Sequence, residues 1–250
     1  MKIIPLSEGS FTIDHTKVFV PFNDQEDQLQ ERPRGSLLVE IQPFLLIFKD
    51  DIILLDGGLG FTDTHGVLQI HNNLAQHGIY PSDITKVLMS HLHKDHSGGI
   101  VMKDPLRGEY QLAFPQATYY IQKRELDYAL GKGSASFDVE GLTPLIGHEQ
   151  VVFLDADAGE IVDGIRYELS GGHSPFHQVF YFQDGSEMVF YGGDEAPQLQ
   201  QMRTRFVAKY DNDGKKAMML RQHWWEIGQQ QKWTFLFYHD IKTPQFTAHE

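Results

Sequence analysis

Apolar residues fall along this chain in short runs that give way repeatedly to helical spacing. Lys86-Val87-Leu88-Met89-Ser90 reads as a buried strand, and residues 37–48 and 52–55 are apolar runs hinged at Lys49-Asp50-Asp51. Residues 178–182 and 187–192 flank Asp184-Gly185, a strong short-range hairpin signal. Residues 118–122, 165–169, 188–191 and 233–238 add further strand-like runs. Between them, Val67, Ile70, Leu74 and Ala75 have the spacing of one helical face before Gly78, and residues 124–130 read as a short helix. Strands and helices therefore alternate in two halves, which predicts an α/β protein. At 250 residues the chain is long for an average domain but ordinary for a two-sheet α/β sandwich. It shows no internal repeat, low-complexity tract or linker, so residues 1–250 are expected to form one domain.

The strand at residues 86–90 runs directly into His91-Leu92-His93-Lys94-Asp95-His96. His91 and His93 lie two residues apart and so project from the same side at a strand end, while Asp95 and His96 follow where the chain turns toward Ser97-Gly98-Gly99. Four potential ligands converge without help from the rest of the fold. Imidazole nitrogen and carboxylate oxygen suit zinc, iron, manganese or cobalt, and there is no cysteine to offer a thiolate. Three more polar residues sit after apolar strands: His173 behind Ser170-Gly171-Gly172, Asp194 behind Gly192-Gly193, and His239 behind residues 233–238. Taken singly, each is better explained by a backbone or water contact. Together with the tetrad they read as ligands from distant parts of the chain.

With these residues in hand, the chain resembles the metallo-β-lactamase superfamily of hydrolases from Asp56 to His239, most closely the branch of N-acyl-homoserine lactonases. The segments that carry the resemblance are Gly9 through His15, Ser90 through Gly99, Gly172-His173-Ser174-Pro175 and Phe237-Tyr238-His239-Asp240-Ile241. It implies a four-layer αβ/βα sandwich with two mixed β-sheets. It also implies two divalent metal ions, zinc first among them: His91, His93 and His173 would hold one, Asp95, His96 and His239 the other, and Asp194 would bridge them. Asp56 matches the family's carboxylate that orients a ligand histidine, a role that fixes tautomer and ring direction; a strand-end cap for the next turn is the alternative. The implied chemistry is hydrolysis of a small ester or lactone by a hydroxide shared between cations roughly 3.5 Å apart, with Asp95 relaying a proton to the leaving alkoxide. Thioester and phosphotriester hydrolysis belong to the same fold. A diiron redox enzyme is disfavoured because His93 stands where such enzymes carry a carboxylate. Two departures from the family pattern are visible: Gly171 and Phe176 replace the usual Pro and Gly around His173, and Asp194 is followed by Glu195-Ala196-Pro197-Gln198 with no tyrosine.

Charge narrows the partners. Lys and Arg total 21 against 34 Asp and Glu, a formal −13, and no basic stripe could follow a phosphate backbone, so nucleic acid is excluded as a partner. The first eight residues lack the apolar core of a signal peptide, no apolar run is long enough to span a membrane, and a cytoplasmic location is expected. The absence of cysteine excludes disulfides and thiol catalysis.

Four further features remain open on sequence alone. Residues 131–147, rich in Gly and Ser, form either a plain surface excursion or a lid over the site. Trp224 and Trp225 cannot share one helix face, so either both pack in the core or one lines a pocket or a homodimer contact. Phe137, Phe176 and Phe206 are candidates for an apolar substrate pocket. His177 and Gln178 could donate to substrate or support the ligands from behind.

Overall fold

The computed structural model describes residues 1–23, 25–104, 108–132 and 134–248. Two six-stranded mixed sheets form its centre. The first runs in the order Lys2–Pro5, Phe44–Ile47, Ile52–Leu55, Lys86–Leu88, Thr118–Gln122 and Val151–Leu154, antiparallel up to Ile52–Leu55 and parallel thereafter. The second runs Ala158–Val162, Ile165–Leu169, Gln178–Asp184, Glu187–Tyr191, Thr234–Leu236 and Gln245–Thr247, with one parallel pairing between Glu187–Tyr191 and Thr234–Leu236. A three-stranded sheet of Gly9–Ile13, Phe19–Phe22 and Leu37–Ile41 lies beside them.

The period-two alternation of these strands decides the layering. In the first sheet Leu45, Leu54 and Val87 face the helices Gln69–Gln76 and Lys123–Lys132, meeting Ile70, Leu74, Leu126 and Ala129 in one core cluster. Their neighbours Phe44, Leu46, Ile53, Leu55 and Leu88 face the other way, into a second cluster shared with Phe180, Phe182, Val189, Tyr191 and Leu236 of the second sheet. The outer face of that sheet puts Val179, Phe190 and Phe235 against Trp224 of the helix Gly214–Gln231. Strands buried on both faces must be apolar throughout, and that is why these runs are continuous rather than alternating. The result is the expected four-layer sandwich with two mixed sheets.

The expected helices appear at Gln69–Gln76 and Lys123–Lys132, and the hairpin turns at Gly185, whose φ of 58° a glycine accepts without strain. The apolar run at 37–48 is not one strand. It breaks after Ile41, and Leu37–Ile41 and Phe44–Ile47 enter different sheets, because Pro43 has no N–H to give to a ladder. Within residues 131–147, Gly133 lies outside the described residues, Val139–Leu142 is helical, and Phe137 is buried. Both tryptophans pack inward: Trp224 lies 4.8 Å from the Phe190 ring, and Trp225 lies 5.4 Å from Phe235 and 5.5 Å from Phe246. Among the described residues no helix is long and apolar enough to cross a membrane.

Candidate metal centre

The first sheet's strand Lys86–Leu88 delivers the tetrad. Leu92 turns into the helix-side core, so His91 and His93 on either side of it face the opposite way. His93 then sits at the N-cap position of the short helix Lys94–Ser97, whose first turn carries Asp95 and His96. The second sheet supplies the rest from the same edge of the sandwich: His173 after Ile165–Leu169, Asp194 in the turn Gly193–Glu195 after Glu187–Tyr191, and His239 after Thr234–Leu236.

These seven side chains meet as two groups, His91, His93, His173 and Asp194 in one and Asp95, His96 and His239 in the other. In the first group His91 Nε2 and His173 Nε2 lie 2.9 and 3.1 Å from His93 Nδ1. Asp194 spans both groups: its Oδ2 is 3.2 Å from His173 Nε2, while its Oδ1 is 3.1 Å from His96 Nε2 and 2.9 Å from His239 Nε2. Asp95 Oδ2 approaches His239 Nε2 at 3.5 Å.

The far nitrogens of four of these rings are committed elsewhere, which settles their tautomers. His239 Nδ1 faces the carbonyl of Glu40 at 2.7 Å, an acceptor only, so Nδ1 carries the proton. His96 Nδ1 donates to Asp56 at 2.8 Å and His173 Nδ1 to Asp211 at 2.9 Å. The Ser90 hydroxyl donates to Asp56 at 2.6 Å, leaving its oxygen to accept from His91 Nδ1 at 3.1 Å. Once free of a proton at Nε2, rings so held turn four Nε2 lone pairs into one buried space. Among the described residues, His96 Nε2 and Asp194 Oδ1 are buried with no hydrogen-bond partner of their own. Lone pairs packed about 3 Å apart repel unless a cation sits among them, and two nitrogens on a tetrahedral zinc would be about 3.3 Å apart. The donor set therefore fits two divalent cations.

The electrostatics run in the same direction. Burial holds His91 and His93 well below the usual histidine range. Burial also opposes the charge on His96, His173 and His239, but it is outweighed, with Asp194 the largest opposing influence on each, so all three are raised. Burial would raise Asp194, yet His239, His96 and His173 overcome it and hold its carboxyl well below the usual range.

Matching residues 41–222 to the metallo-beta-lactamase superfamily decides the family. The chain belongs to that superfamily. Over 116 residues it is 34% identical to the N-acyl homoserine lactonase AttM of Azorhizobium caulinodans, a match that covers 41% of this chain and 37% of that protein. It is 28% identical over 124 residues to the N-acyl homoserine lactonase AiiA of Bacillus thuringiensis subsp. kurstaki, covering 48% of this chain and 43% of that one. The chain thus aligns with less than half the length of either relative. In fold it resembles a probable metal-dependent hydrolase from Staphylococcus aureus, with a TM-score of 0.76 at 21% identity over 98% of this chain and 91% of that one. It also resembles AidC, a dizinc quorum-quenching lactonase, with a TM-score of 0.71 at 21% identity over 98% of this chain and 89% of that one.

Asp56 lies behind the tetrad and takes more partners than a turn cap would. It accepts from Ser90 N, Ser90 Oγ, His96 Nδ1 and the hydroxyl of Tyr191 in the opposite sheet. His177 and Gln178 do not reach substrate space. His177 is fully buried, with Nε2 accepting from the backbone N–H of Asp194 at 3.2 Å, and Gln178 donates to the carbonyl of Met89. Phe137 is 4.9 Å from the His93 ring and joins Phe176 through Tyr128, whereas Phe206 is exposed.

Two supports escaped sequence reasoning. Asp211 sits in Tyr210-Asp211-Asn212-Asp213, where Asp213 is the residue that caps the following helix, so nothing in the pattern singles Asp211 out. Glu195 was visible only as the neighbour of Asp194. Its carboxylate accepts from Ser170 Oγ and from the backbone N–H groups of Gly172 and His173, pinning the loop that presents His173.

Proposed function

We propose that this chain is a dinuclear metal-dependent hydrolase of small esters or lactones, a reading carried by the Asp194 carboxylate, which turns one oxygen to each ligand group. His91, His93 and His173 would hold one cation, Asp95, His96 and His239 the other, and Asp194 would join them, with zinc the leading candidate and iron, manganese or cobalt accommodated. When bound, the cations supply an acidified water near neutral pH and polarise the substrate carbonyl. The protein supplies geometry. Asp56, Asp211, Ser90 and the Glu40 carbonyl lock the ring directions, and His177 fixes the Asp194 backbone. Asp95 stands beside His239 and His96, where its carboxylate can receive the proton of the attacking water. It then returns that proton to the alkoxide as the acyl C–O bond breaks. The N-acyl homoserine lactonase relatives make lactones the first substrates to test.

Residues 1–250 act as one domain in this reading, because strands at both ends, Lys2–Pro5 and Gln245–Thr247, are sewn into the two central sheets. The test is a panel of lactones of graded chain length, aryl esters, thioesters and phosphotriesters, run beside elemental analysis of the purified protein. Two metals per chain with lactone or ester turnover is the expected result. Full activity in metal-free protein, or turnover of phosphotriesters alone, would refute it.

A further inference from the structure

A cavity of about 680 Å³ is lined by Lys94 and Gly98, which bound the short helix carrying Asp95 and His96. Its walls are largely apolar, with Phe19, Leu59, Phe61, Leu68 and Met102 among the lining residues. Against them stand Lys17, Lys94 and Lys103, in a protein whose net charge is −13. Lys103 is answered by Glu140 at 3.7 Å and lies over the Tyr110 ring. The one acidic group in the lining, Asp138, is occupied in accepting from Gly141 N at 3.2 Å. Lys17 and Lys94 are half-buried, and neither ammonium meets a carboxylate among the described residues.

The placement of Lys17 is built rather than incidental. Its backbone is left-handed at φ 60°, a conformation that costs a non-glycine residue on the order of 1 kcal/mol. The turn before it is pinned by Asp14, which accepts from Thr16 N at 2.8 Å and Thr16 Oγ1 at 2.6 Å. Two unanswered ammoniums on an apolar crevice focus positive potential there, and a neutral acyl chain would use none of it.

Resting on the hydrolase reading, we propose that the substrate carries a carboxylate remote from its scissile carbonyl, held by Lys17 and Lys94 while its apolar body lies along Phe19, Leu59 and Phe61. The cavity lining holds no arginine to grip a phosphate in two-pronged fashion, and point-charge ammoniums suit a singly charged carboxylate. The substrate is then an acidic ester or lactone rather than a purely aliphatic one.

Monomethyl suberate and dimethyl suberate differ only in that distal carboxylate, and both are assayed with the zinc-reconstituted protein. Wild type should favour the monoester in kcat/KM by about tenfold at low salt, and the preference should shrink in 0.5 M NaCl. Lys17→Met/Lys94→Met, checked for unchanged zinc content, should bring the ratio close to one, and Lys17→Arg/Lys94→Arg should restore it. A wild type without preference, or a preference that survives in the methionine variant, would overturn the proposal. Calorimetric titration with suberic acid monoamide against suberamide separates this result from failure of the hydrolase reading, since it needs no turnover. Saturable binding of the monoamide that disappears in the methionine variant supports the lysine site even if no ester is cleaved. Binding that is absent, or that persists in that variant, refutes it.

Discussion

The Nδ1–H of His173 donates to Asp211 at 2.9 Å, while Nε2 of the same ring faces Asp194 at 3.2 Å. One carboxylate therefore aims the ring at another. Removing Asp211 leaves His173 free to rotate or change tautomer, so Asp211→Ala should weaken zinc binding about 10- to 100-fold. Competition against a chelating dye measures this, and unchanged affinity would mean that Glu195 and the loop alone orient the ring.

Asp194→Ala removes the oxygens that face both groups. If the proposed centre holds two zinc ions, their number should fall to one or fewer, and turnover should drop by roughly a hundredfold or more. Elemental analysis alongside the lactone assay decides the matter: two retained metals with full activity would remove Asp194 from the centre.

Metal uptake should release protons. In the metal-free protein His96, His173 and His239 are raised above the ordinary histidine range because Asp194 outweighs the effect of burial. A cation must displace those protons, so apparent zinc affinity should climb as pH rises from 6 to 8. The stability these protonated rings lend the metal-free fold is full below the ordinary histidine value and is lost as pH rises through the raised ones. Titration calorimetry in buffers of different ionisation enthalpy counts the released protons, and a count of zero would contradict the assignment.

Glu8 gives a pH signature away from the ligands. Burial pushes its carboxyl from 4.5 to about 7, against the hydrogen bond that it accepts from Leu59 N. Between those values the folded chain holds a proton that the unfolded chain has released, so stability falls as pH rises, by about 3 kcal/mol in all. Glu8→Gln cannot ionise. Its melting temperature should therefore match wild type near pH 4.5 and exceed it above pH 7.5; a constant gap across that range would locate the effect elsewhere.

Gly60→Ala should destabilise the fold by about 2–4 kcal/mol in denaturant titration. Gly60 has a φ of 73°, and an added Cβ would meet the Gly98 carbonyl oxygen at 2.2 Å. Backbone on both sides leaves nothing flexible to move aside. Wild-type stability in this variant would mean that the loop at residues 57–61 shifts freely.

The layering was legible in the sequence because a doubly buried strand has to be apolar throughout, as residues 52–55 and 87–89 are. The tetrad was legible because its members are neighbours in the chain. His173, Asp194 and His239 could be proposed only because glycine breaks or strand ends set them apart and a family pattern related them. What stayed hidden depends on pairing across the fold: Asp211 meets His173 across 38 positions, and Tyr191 meets Asp56 across 135. No local pattern encodes such distances. The apolar run at 37–48 misled because hydrophobicity says nothing of which sheet a strand joins, and Pro43 was the cue that outweighed it.

Both sheets contribute to the centre, and the Tyr191 hydroxyl reaches Asp56 from one sheet to the other. A nascent chain that has folded only through residue 154 would own His91, His93, Asp95 and His96 but none of the groups that complete either cluster. Metal captured so early would sit in a half-built cradle open to exchange. In the proposed arrangement, retention of the right ion would be deferred until Thr234–Leu236 docks beside Glu187–Tyr191 and brings His239 to the other ligands.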